Sequence, residues 1–272
     1  MKLIATDLDR TLIPNGPEKY DGSMDLFKKI IEEKNYHFAY VTGRNIKESL
    51  QAKRKFSLPS PNFVICSVGS EIYSLDKGKP KINTNWSKEI KNKNPRWNVD
   101  KVKKFLKGIP GLRIQKKEYQ GKFKASFYLY YKNDAEKMEA LNKIRKILDS
   151  SIKDYNFIFS IDYPIKRGLV DIMPVGVSKI YALNFLVKEN KIKAKNVLCC
   201  GDSGNDLDLL TAKYDSIVVA NAKKEIKQQV AKIRKKKGLN SAYIAKKQKQ
   251  LNGNYVSGIV QGIRYFQRKD KF

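Results

Sequence analysis

Short apolar segments alternate with segments of helical spacing at both ends of this chain, and this alternation constrains the fold most strongly. Apolar runs at residues 3–6 and 38–42 are each followed by a helical pattern, and the same order returns after the runs at 197–200 and 216–220. Because strands that alternate with helices form parallel βαβ units, the two ends are predicted to build one α/β, Rossmann-like sheet with helices on both faces. Helices are predicted at about 24–33, after residue 45, at 178–188, and from residues 205 and 223.

The middle of the chain has a different order of elements. A loop that contains Trp and Lys residues is predicted from residue 77, and adjacent strands followed by a helix come after it. That order is typical of an α+β domain with a largely antiparallel sheet. We therefore expect a core of residues 1–77 and 171–272, interrupted by a cap of residues 78–170. The predicted cap elements are helices at 99–106 and around 138–148, and strands at 112–116, 123–131, 157–161 and 169–173.

Polar and apolar side chains alternate along residues 123–130 within this cap. A period of two residues predicts a half-buried strand, with Lys124, Ser126 and two tyrosines on its polar face. Either a polar ligand or solvent fits such a face, and the pattern alone leaves both interpretations open.

The chain is strongly basic, with 56 Lys and Arg residues against 27 Asp and Glu and a net charge of +29. Such a surface attracts polyanions, so a non-catalytic polyanion-binding protein is the hypothesis from a different functional class. However, only ten of the basic residues are Arg and the Lys residues are spread along the whole chain. This distribution argues against nucleic acid as the main partner.

Three cysteines, Cys66, Cys199 and Cys200, show neither a disulfide framework nor the spacing of a zinc site. The apolar stretch at the N-terminus is too short for a signal peptide, and no window approaches the length of a membrane span. We therefore expect a cytoplasmic protein in a reducing compartment, without a membrane partner.

Carboxylates follow two of the predicted parallel strands. Asp7 and Asp9 come after the first apolar run, while Asp202, Asn205 and Asp206 follow the run at 197–200. Ligands bind at the carboxyl ends of strands in open α/β sheets. The carboxylates of Asp7 and Asp9, one residue apart, repel each other unless a cation or a proton lies between them, which points to Mg²⁺. Acidic residues near a helix start are also ordinary caps, and that alternative remains for each motif alone.

Two further motifs offer groups that bind phosphate. Thr42 and Gly43 end the second apolar run and supply a hydroxyl and backbone N–H groups. Lys179 lies in the first turn of a predicted helix, where a cation is unfavourable for the helix dipole unless an anion is nearby. An ordinary solvated lysine is the alternative. His37 is the only histidine, which leaves histidine-based hydrolysis almost without candidates.

In this order the four motifs resemble those of the haloacid dehalogenase superfamily of Mg²⁺-dependent phosphatases, over essentially the whole chain. The position of the cap, between the second and third motifs, is similar to the subclass with a large α+β cap. A closer resemblance to the sucrose-phosphate phosphatase group rests on residues 67–73, 123–128, 170–174, 201–206 and 219–222.

This resemblance implies a role for each core residue. Asp7 would attack phosphorus and form an aspartyl-phosphate, and Asp9 would act as general acid and then as general base. Thr42 and Lys179 would hold the phosphoryl oxygens. The cofactor would be Mg²⁺, bound by Asp202, the Asp7 side chain and the Asp9 main-chain carbonyl, with Asp206 as a further carboxylate. Gly43 and Asn205 complete the expected phosphate site, and the candidates for substrate contact are Glu71, Lys124, Ser126 and Asn221.

The expected substrate is a small sugar phosphate, first sucrose 6-phosphate, which would give sucrose and phosphate. Another glycosyl or hexose phosphate, such as mannosylglycerate phosphate or mannosylfructose phosphate, is the alternative, because two residues depart from the family pattern. Arg10 replaces a small residue or Asn, and Leu12 replaces a Trp. A monomer is expected, and contact with a sugar-phosphate synthase is left open.

Overall fold

A computed structural model describes residues 1–15, 21–152, 154–162, 167–270 and 272. The strands are β1 (Leu3–Thr6), β2 (His37–Val41), β3 (Phe63–Cys66), β4 (Glu71–Asp76), β5 (Lys79–Ile82), β6 (Leu112–Ile114), β7 (Ala125–Leu129), β8 (Tyr155–Asp162), β9 (Arg167–Pro174), β10 (Val197–Gly201), β11 (Asp215–Val218) and β12 (Ala242–Ile244). The helices are α1 (Ser23–Glu33), α2 (Ile46–Lys55), α3 (Thr84–Lys93), α4 (Val99–Phe105), α5 (Asp134–Ser151), α6 (Lys179–Glu189), α7 (Leu207–Leu210), α8 (Lys224–Lys236) and α9 (Val256–Gln267).

The chain forms two compact units, Met1–Asn83 with Lys179–Phe272, and Thr84–Ser178. The first unit contains an eight-stranded sheet in the order β12-β11-β10-β1-β2-β3-β4-β5. Strands β12 to β3 in this order are parallel, and β4 and β5 add an antiparallel edge. Since β1 pairs directly with β10, the two ends of the chain build one sheet, as the alternation of strands and helices predicts.

Helices cover both faces of this sheet. Ile4 and Phe38 point into an apolar cluster that includes residues of α1 and α9. Their neighbours Leu3 and Ala39 are also fully buried and, because strand side chains alternate, they lie on the opposite face. On that opposite face, a second apolar cluster joins β11 to α7 and α8. Burial on both faces explains why these strands read as continuous apolar runs.

The second unit contains an antiparallel sheet in the order β6-β7-β9-β8, which confirms the α+β character expected of the cap. Apolar residues of α4 and α5 cover one face of it. Strand β9 pairs within this sheet along its whole length, so the unit ends at Ser178 and not at the expected boundary of 170/171, which would cut the strand. Similarly, β5 pairs with β4, so the first unit extends to Asn83 and not to residue 77.

The prediction of a loop after residue 77 is wrong, because this segment forms β5, which pairs with β4, and α3. Trp86 and Ile90, four residues apart in α3, are both buried, and their burial stabilises a helix whose sequence is otherwise polar. Strand β12 and the almost entirely buried helix α9 also lacked a prediction. Within the described ranges, no helix has the length and apolar character needed to cross a bilayer.

Arg234 is a buried cation in α8, a helix whose last turn is otherwise formed by lysines. Its guanidinium donates hydrogen bonds to four backbone carbonyls, those of Leu210, Ala212, Tyr214 and Ser241, at 2.8–3.1 Å. Burial lowers the pKa of Arg234. This one side chain therefore connects the segment between α7 and β11 to the segment that precedes β12.

Replacing Arg234 tests this structural role. We expect Arg234→Met to lower the free energy of unfolding by about 2–4 kcal/mol, because buried carbonyls lose their donors. Lys235→Met changes an exposed neighbour on the same helix and should alter stability by less than about 0.5 kcal/mol. Urea unfolding of both variants measures the difference, and equal stabilities would contradict the role assigned to Arg234.

Candidate active site

Three buried carboxylates meet at the carboxyl ends of β1 and β10. Asp7 follows β1, Asp202 follows β10, and Asp206 ends the short 3₁₀ turn Gly204–Asp206. One oxygen from each carboxylate lies within 4.8 Å of the others, and none of the three residues is more than 6% exposed. The parallel pairing of β1 with β10 produces this arrangement, because it places residues 7 and 202 at the same edge of the sheet.

Lys179, the first residue of α6, supplies the cation that these carboxylates need. Its Nζ donates hydrogen bonds to Oδ1 of Asp7 at 2.7 Å and to Oδ1 of Asp206 at 2.8 Å. Burial alone would lower the pKa of Lys179, but the negative charges of Asp206 and Asp7 raise it above its ordinary value. Lys179 therefore stays an ammonium in a buried site, so the alternative of a solvated lysine is wrong.

One ammonium does not neutralise three carboxylates. Burial, together with the charge of neighbouring carboxylates, raises the pKa of Asp7 well above its ordinary value even though Lys179 opposes the shift. Burial and Asp206 raise the pKa of Asp202 to about 7, and Arg10, with its Nε 3.5 Å from Asp202 Oδ2, only partly offsets them. Excess negative charge and oxygen ligands in a buried cluster fit a hard divalent cation such as Mg²⁺.

Asp206 and Asp202 are fixed by their own hydrogen bonds. Asp206 Oδ2 accepts the N–H groups of Asp202 and Ser203 and the Ser203 hydroxyl at 2.9–3.3 Å. Thr11 Oγ1 donates to Asp202 Oδ1 at 2.8 Å. Gly201 has no side chain where one would collide, since a Cβ there would lie 2.6 Å from Asp206 Cβ. Both oxygens of Asp206 thus hold protein groups, which suits a residue that orients Lys179 and the turn.

The side chain of Asp9 lies outside this carboxylate cluster, in an ion pair with Arg44 that no sequence pattern predicted. Arg44 Nε donates to Asp9 Oδ2 at 2.8 Å, and Arg44 Nη2 donates to Asp9 Oδ1 at 2.6 Å. The expected role of Asp9 in metal binding concerned its main-chain carbonyl, so this side-chain pair does not conflict with it. The only signal in the sequence was the position of Arg44 directly after Thr42 and Gly43.

The residues that are expected to bind phosphate lie at the same edge of the sheet. Thr42 follows β2, the neighbour of β1, and is fully buried. Its Oγ1 accepts the N–H of Arg44 at 3.2 Å, and its carbonyl accepts the N–H of Val68 at 3.1 Å. Gly43 is exposed, and Asn205 is half-buried in the turn that carries Asp206.

The candidates for substrate contact do not form one group. In the second unit, Lys124 Nζ lies 3.4 Å from Asp171 Oδ1, and Ser126 Oγ donates to the same oxygen at 2.6 Å, all three residues being buried. The polar face of β7 is therefore not solvated at these positions. Glu71 belongs to the first unit, on β4, where its Oε2 accepts from the Tyr73 hydroxyl at 3.4 Å.

Asn221, the fourth candidate, bonds to the protein at both ends of its amide. Nδ2 donates to the Arg10 carbonyl at 2.6 Å, and Oδ1 accepts the N–H of Tyr255 at 2.9 Å. Arg10 has a φ of 63°, a conformation uncommon outside glycine. Asn221 therefore connects the turn that follows Asp9 to the start of α9.

The raised pKa of Asp202 predicts that stability depends on pH and on Mg²⁺. Between its ordinary value of 3.8 and its folded value of about 7, Asp202 binds a proton more tightly in the folded state. Metal-free protein should therefore lose stability as pH rises through this window, and Mg²⁺ should restore it above pH ~7. Thermal unfolding at several pH values, with EDTA or Mg²⁺, measures both effects.

Asp202→Asn is the matched variant for this prediction. It should flatten the pH dependence of the melting temperature and reduce the stabilisation by Mg²⁺. If the variant and the unchanged protein respond to Mg²⁺ equally, the proposed cation site is in the wrong place.

Comparison with known proteins agrees with this geometry. The family described as sucrose-6F-phosphate phosphohydrolase matches residues 1–267. "Probable sucrose-phosphatase 2" of Arabidopsis thaliana is 29% identical over 97% of this chain, which spans 59% of the length of that protein. The mannosylfructose-phosphate phosphatase of Agrobacterium fabrum is 25% identical over 83% of this chain and 86% of its own length.

The fold has a clear counterpart among solved structures. The sucrose-phosphatase of Synechocystis sp. PCC6803, solved with sucrose and phosphate, superposes with a TM-score of 0.80 over 98% of each chain, at 21% identity. The resemblance to haloacid dehalogenase phosphatases close to the sucrose-phosphatase group is thus confirmed. Because the family match extends over residues 1–267 of 272, the chain belongs to the sucrose-6F-phosphate phosphohydrolase family, a family of phosphoric monoester hydrolases.

Proposed function

We propose that this protein is a Mg²⁺-dependent phosphatase that hydrolyses sucrose 6-phosphate to sucrose and phosphate through an aspartyl-phosphate at Asp7. The observation that carries the proposal is the buried cluster of Asp7, Asp202 and Asp206 around the ammonium of Lys179. Burying three carboxylates with one lysine lowers the stability of the folded protein. An excess of carboxylates beside one ammonium is, however, suited to a cation and a phosphoryl group.

The reaction divides into two displacements at phosphorus. A carboxylate oxygen of Asp7 forms a bond to phosphorus as the bond to the sugar oxygen breaks, and Asp9 gives its proton to that oxygen. Asp9 then takes a proton from a water molecule as the water oxygen attacks phosphorus. Inorganic phosphate leaves, the carboxylate of Asp7 is restored, and Asp9 is protonated again for the next cycle.

Three groups stabilise the negative charge that develops on the phosphoryl oxygens. Lys179 already donates to Asp7 and turns its ammonium toward the nucleophile, while the Thr42 hydroxyl and the Gly43 N–H come from the adjacent strand end. Asp7, Asp202 and the main-chain carbonyl of Asp9 are the residues that would hold Mg²⁺. When bound, Mg²⁺ would neutralise carboxylate charge and polarise a phosphoryl oxygen.

We propose that residues of the second unit select the sugar. Lys124, Ser126 and Asp171 form a buried polar cluster on one sheet, with two donors and a carboxylate of the kind that sugar hydroxyls bind. The Agrobacterium relative named as a mannosylfructose-phosphate phosphatase supports a second candidate substrate, mannosylfructose phosphate. We also propose a cytoplasmic location, because the three cysteines are buried free thiols.

A panel of sugar phosphates tests this proposal by the release of phosphate. Sucrose 6-phosphate, mannosylfructose phosphate and glucose 6-phosphate are compared with Mg²⁺ and with EDTA. We expect sucrose 6-phosphate to exceed the others in kcat/KM by at least about tenfold, and EDTA to abolish turnover.

Asp7→Asn should lower kcat by about a thousandfold or more, since it removes the nucleophile. Asp208→Asn removes an exposed carboxylate from the same part of the chain and should leave turnover unchanged. A preference for mannosylfructose phosphate would replace the substrate but keep the chemistry. Folded protein that releases no phosphate from any of these compounds in Mg²⁺ would contradict the proposal.

A further inference from the structure

We propose that Arg44 is a positioning residue for this reaction, which fixes the orientation of the Asp9 carboxylate for proton transfer. The inference rests on the proposed function, in which Asp9 is the acid and base. The contact between Arg44 and Asp9 arises from the fold, because the two residues follow neighbouring parallel strands, β2 and β1.

The first observation is the geometry of the pair. Two nitrogens of the Arg44 guanidinium each donate to a different oxygen of Asp9, at 2.8 and 2.6 Å. This bidentate arrangement fixes both the direction and the plane of the carboxylate, which one contact from a lysine would not do. The Asp9 carboxylate is therefore held in one orientation. Asp9 lies two residues after Asp7, the proposed nucleophile.

The second observation is the exposure of the pair. The side chains of Asp9 and Arg44 are 29% and 28% exposed. Ion pairs that contact solvent contribute little to folding stability. Stability alone thus gives a weak reason for this pair, whereas orientation of a proton-transferring carboxylate gives a strong one.

The third observation is that the backbone of Arg44 is fixed on both sides. Its N–H donates to Thr42 Oγ1 at 3.2 Å, and its carbonyl accepts the N–H of Ser67 at 2.7 Å. Asn45, the next residue, caps α2 through reciprocal hydrogen bonds with Glu48. The guanidinium is therefore presented from a segment that cannot shift independently of Thr42.

The turn that receives Arg44 is itself unusual. Ser67 and Val68 have φ values of 50° and 60°, and a β-branched residue in this region is a true outlier. The Val68 N–H donates to the Thr42 carbonyl at 3.1 Å, so the same turn fixes both Thr42 and Arg44. One strained turn thereby aligns the proposed phosphate-binding hydroxyl with the residue that orients Asp9.

A competing role for Arg44 is direct contact with the phosphate of the substrate. The two roles predict different kinetics. A positioning residue acts through Asp9, so its loss lowers kcat and has no effect once Asp9 is absent. A residue that binds phosphate raises KM when it is removed, with or without Asp9.

The test is a double-mutant cycle with Arg44→Met, Asp9→Ala and both together, in the presence of Mg²⁺. The substrate is sucrose 6-phosphate, with mannosylfructose phosphate in its place if that compound is turned over faster. We expect Arg44→Met to lower kcat about 10- to 100-fold with KM unchanged within about twofold. In the Asp9→Ala background, the same substitution should change kcat by less than about twofold. Arg44→Lys should recover only part of the loss, since lysine cannot bind both oxygens in the same plane.

Arg54→Met is the matched control, because Arg54 is an exposed arginine on α2, and it should match the unchanged enzyme. Thermal unfolding of each variant shows that the loss of rate is not a loss of folded protein. The inference is overturned if Arg44→Met raises KM, lowers kcat equally in both backgrounds, or leaves kcat unchanged. If Asp9→Ala is instead as active as the unchanged protein, the proposed role of Asp9 fails first, and that outcome is distinct.

Discussion

The contact between the buried Lys179 ammonium and the carboxylates of Asp7 and Asp206 is the interaction on which the rest of the site depends. Burying a carboxylate without a partner costs several kcal/mol, and this cluster buries three with one lysine among them. The lysine makes the cluster compatible with folding, and the remaining negative charge would suit a cation. The same imbalance of charge therefore affects both the folding stability and the proposed chemistry.

This contact joins residues from distant parts of the chain, so it exists only when the sheet of the first unit is complete. Asp7 and Asp206 meet because β1 pairs with β10, and Lys179 joins them from the first turn of α6, directly after the second unit ends. Thr42 reaches the same edge because β2 is the other neighbour of β1. A long insertion between the motifs is thus compatible with one site, since the parallel sheet and not the order of the chain determines which residues meet.

Sequence patterns predicted those features of the fold that depend on neighbouring residues in the chain. The buried strands, the antiparallel sheet of the second unit and the positions of Asp7, Asp202 and Lys179 at element ends could all be inferred from periodicity and from strand-end chemistry. The structure was needed where long-range packing decides: α3 is stabilised by two buried residues in a polar sequence, and α9 is almost entirely buried. The pairing of Asp9 with Arg44 likewise depends on the register of β1 beside β2, which no spacing in the sequence reveals.

The proposed mechanism requires that Asp7 becomes covalently phosphorylated during turnover. The most direct measurement is an acid quench of the enzyme within its first turnovers of sucrose 6-phosphate, followed by proteolysis and mass spectrometry. We expect one phosphorylated peptide that contains Asp7, appears before free phosphate accumulates and is absent from the Asp7→Asn variant. Release of phosphate without any phosphorylated protein at early times, or phosphorylation at another residue, would contradict the proposed mechanism.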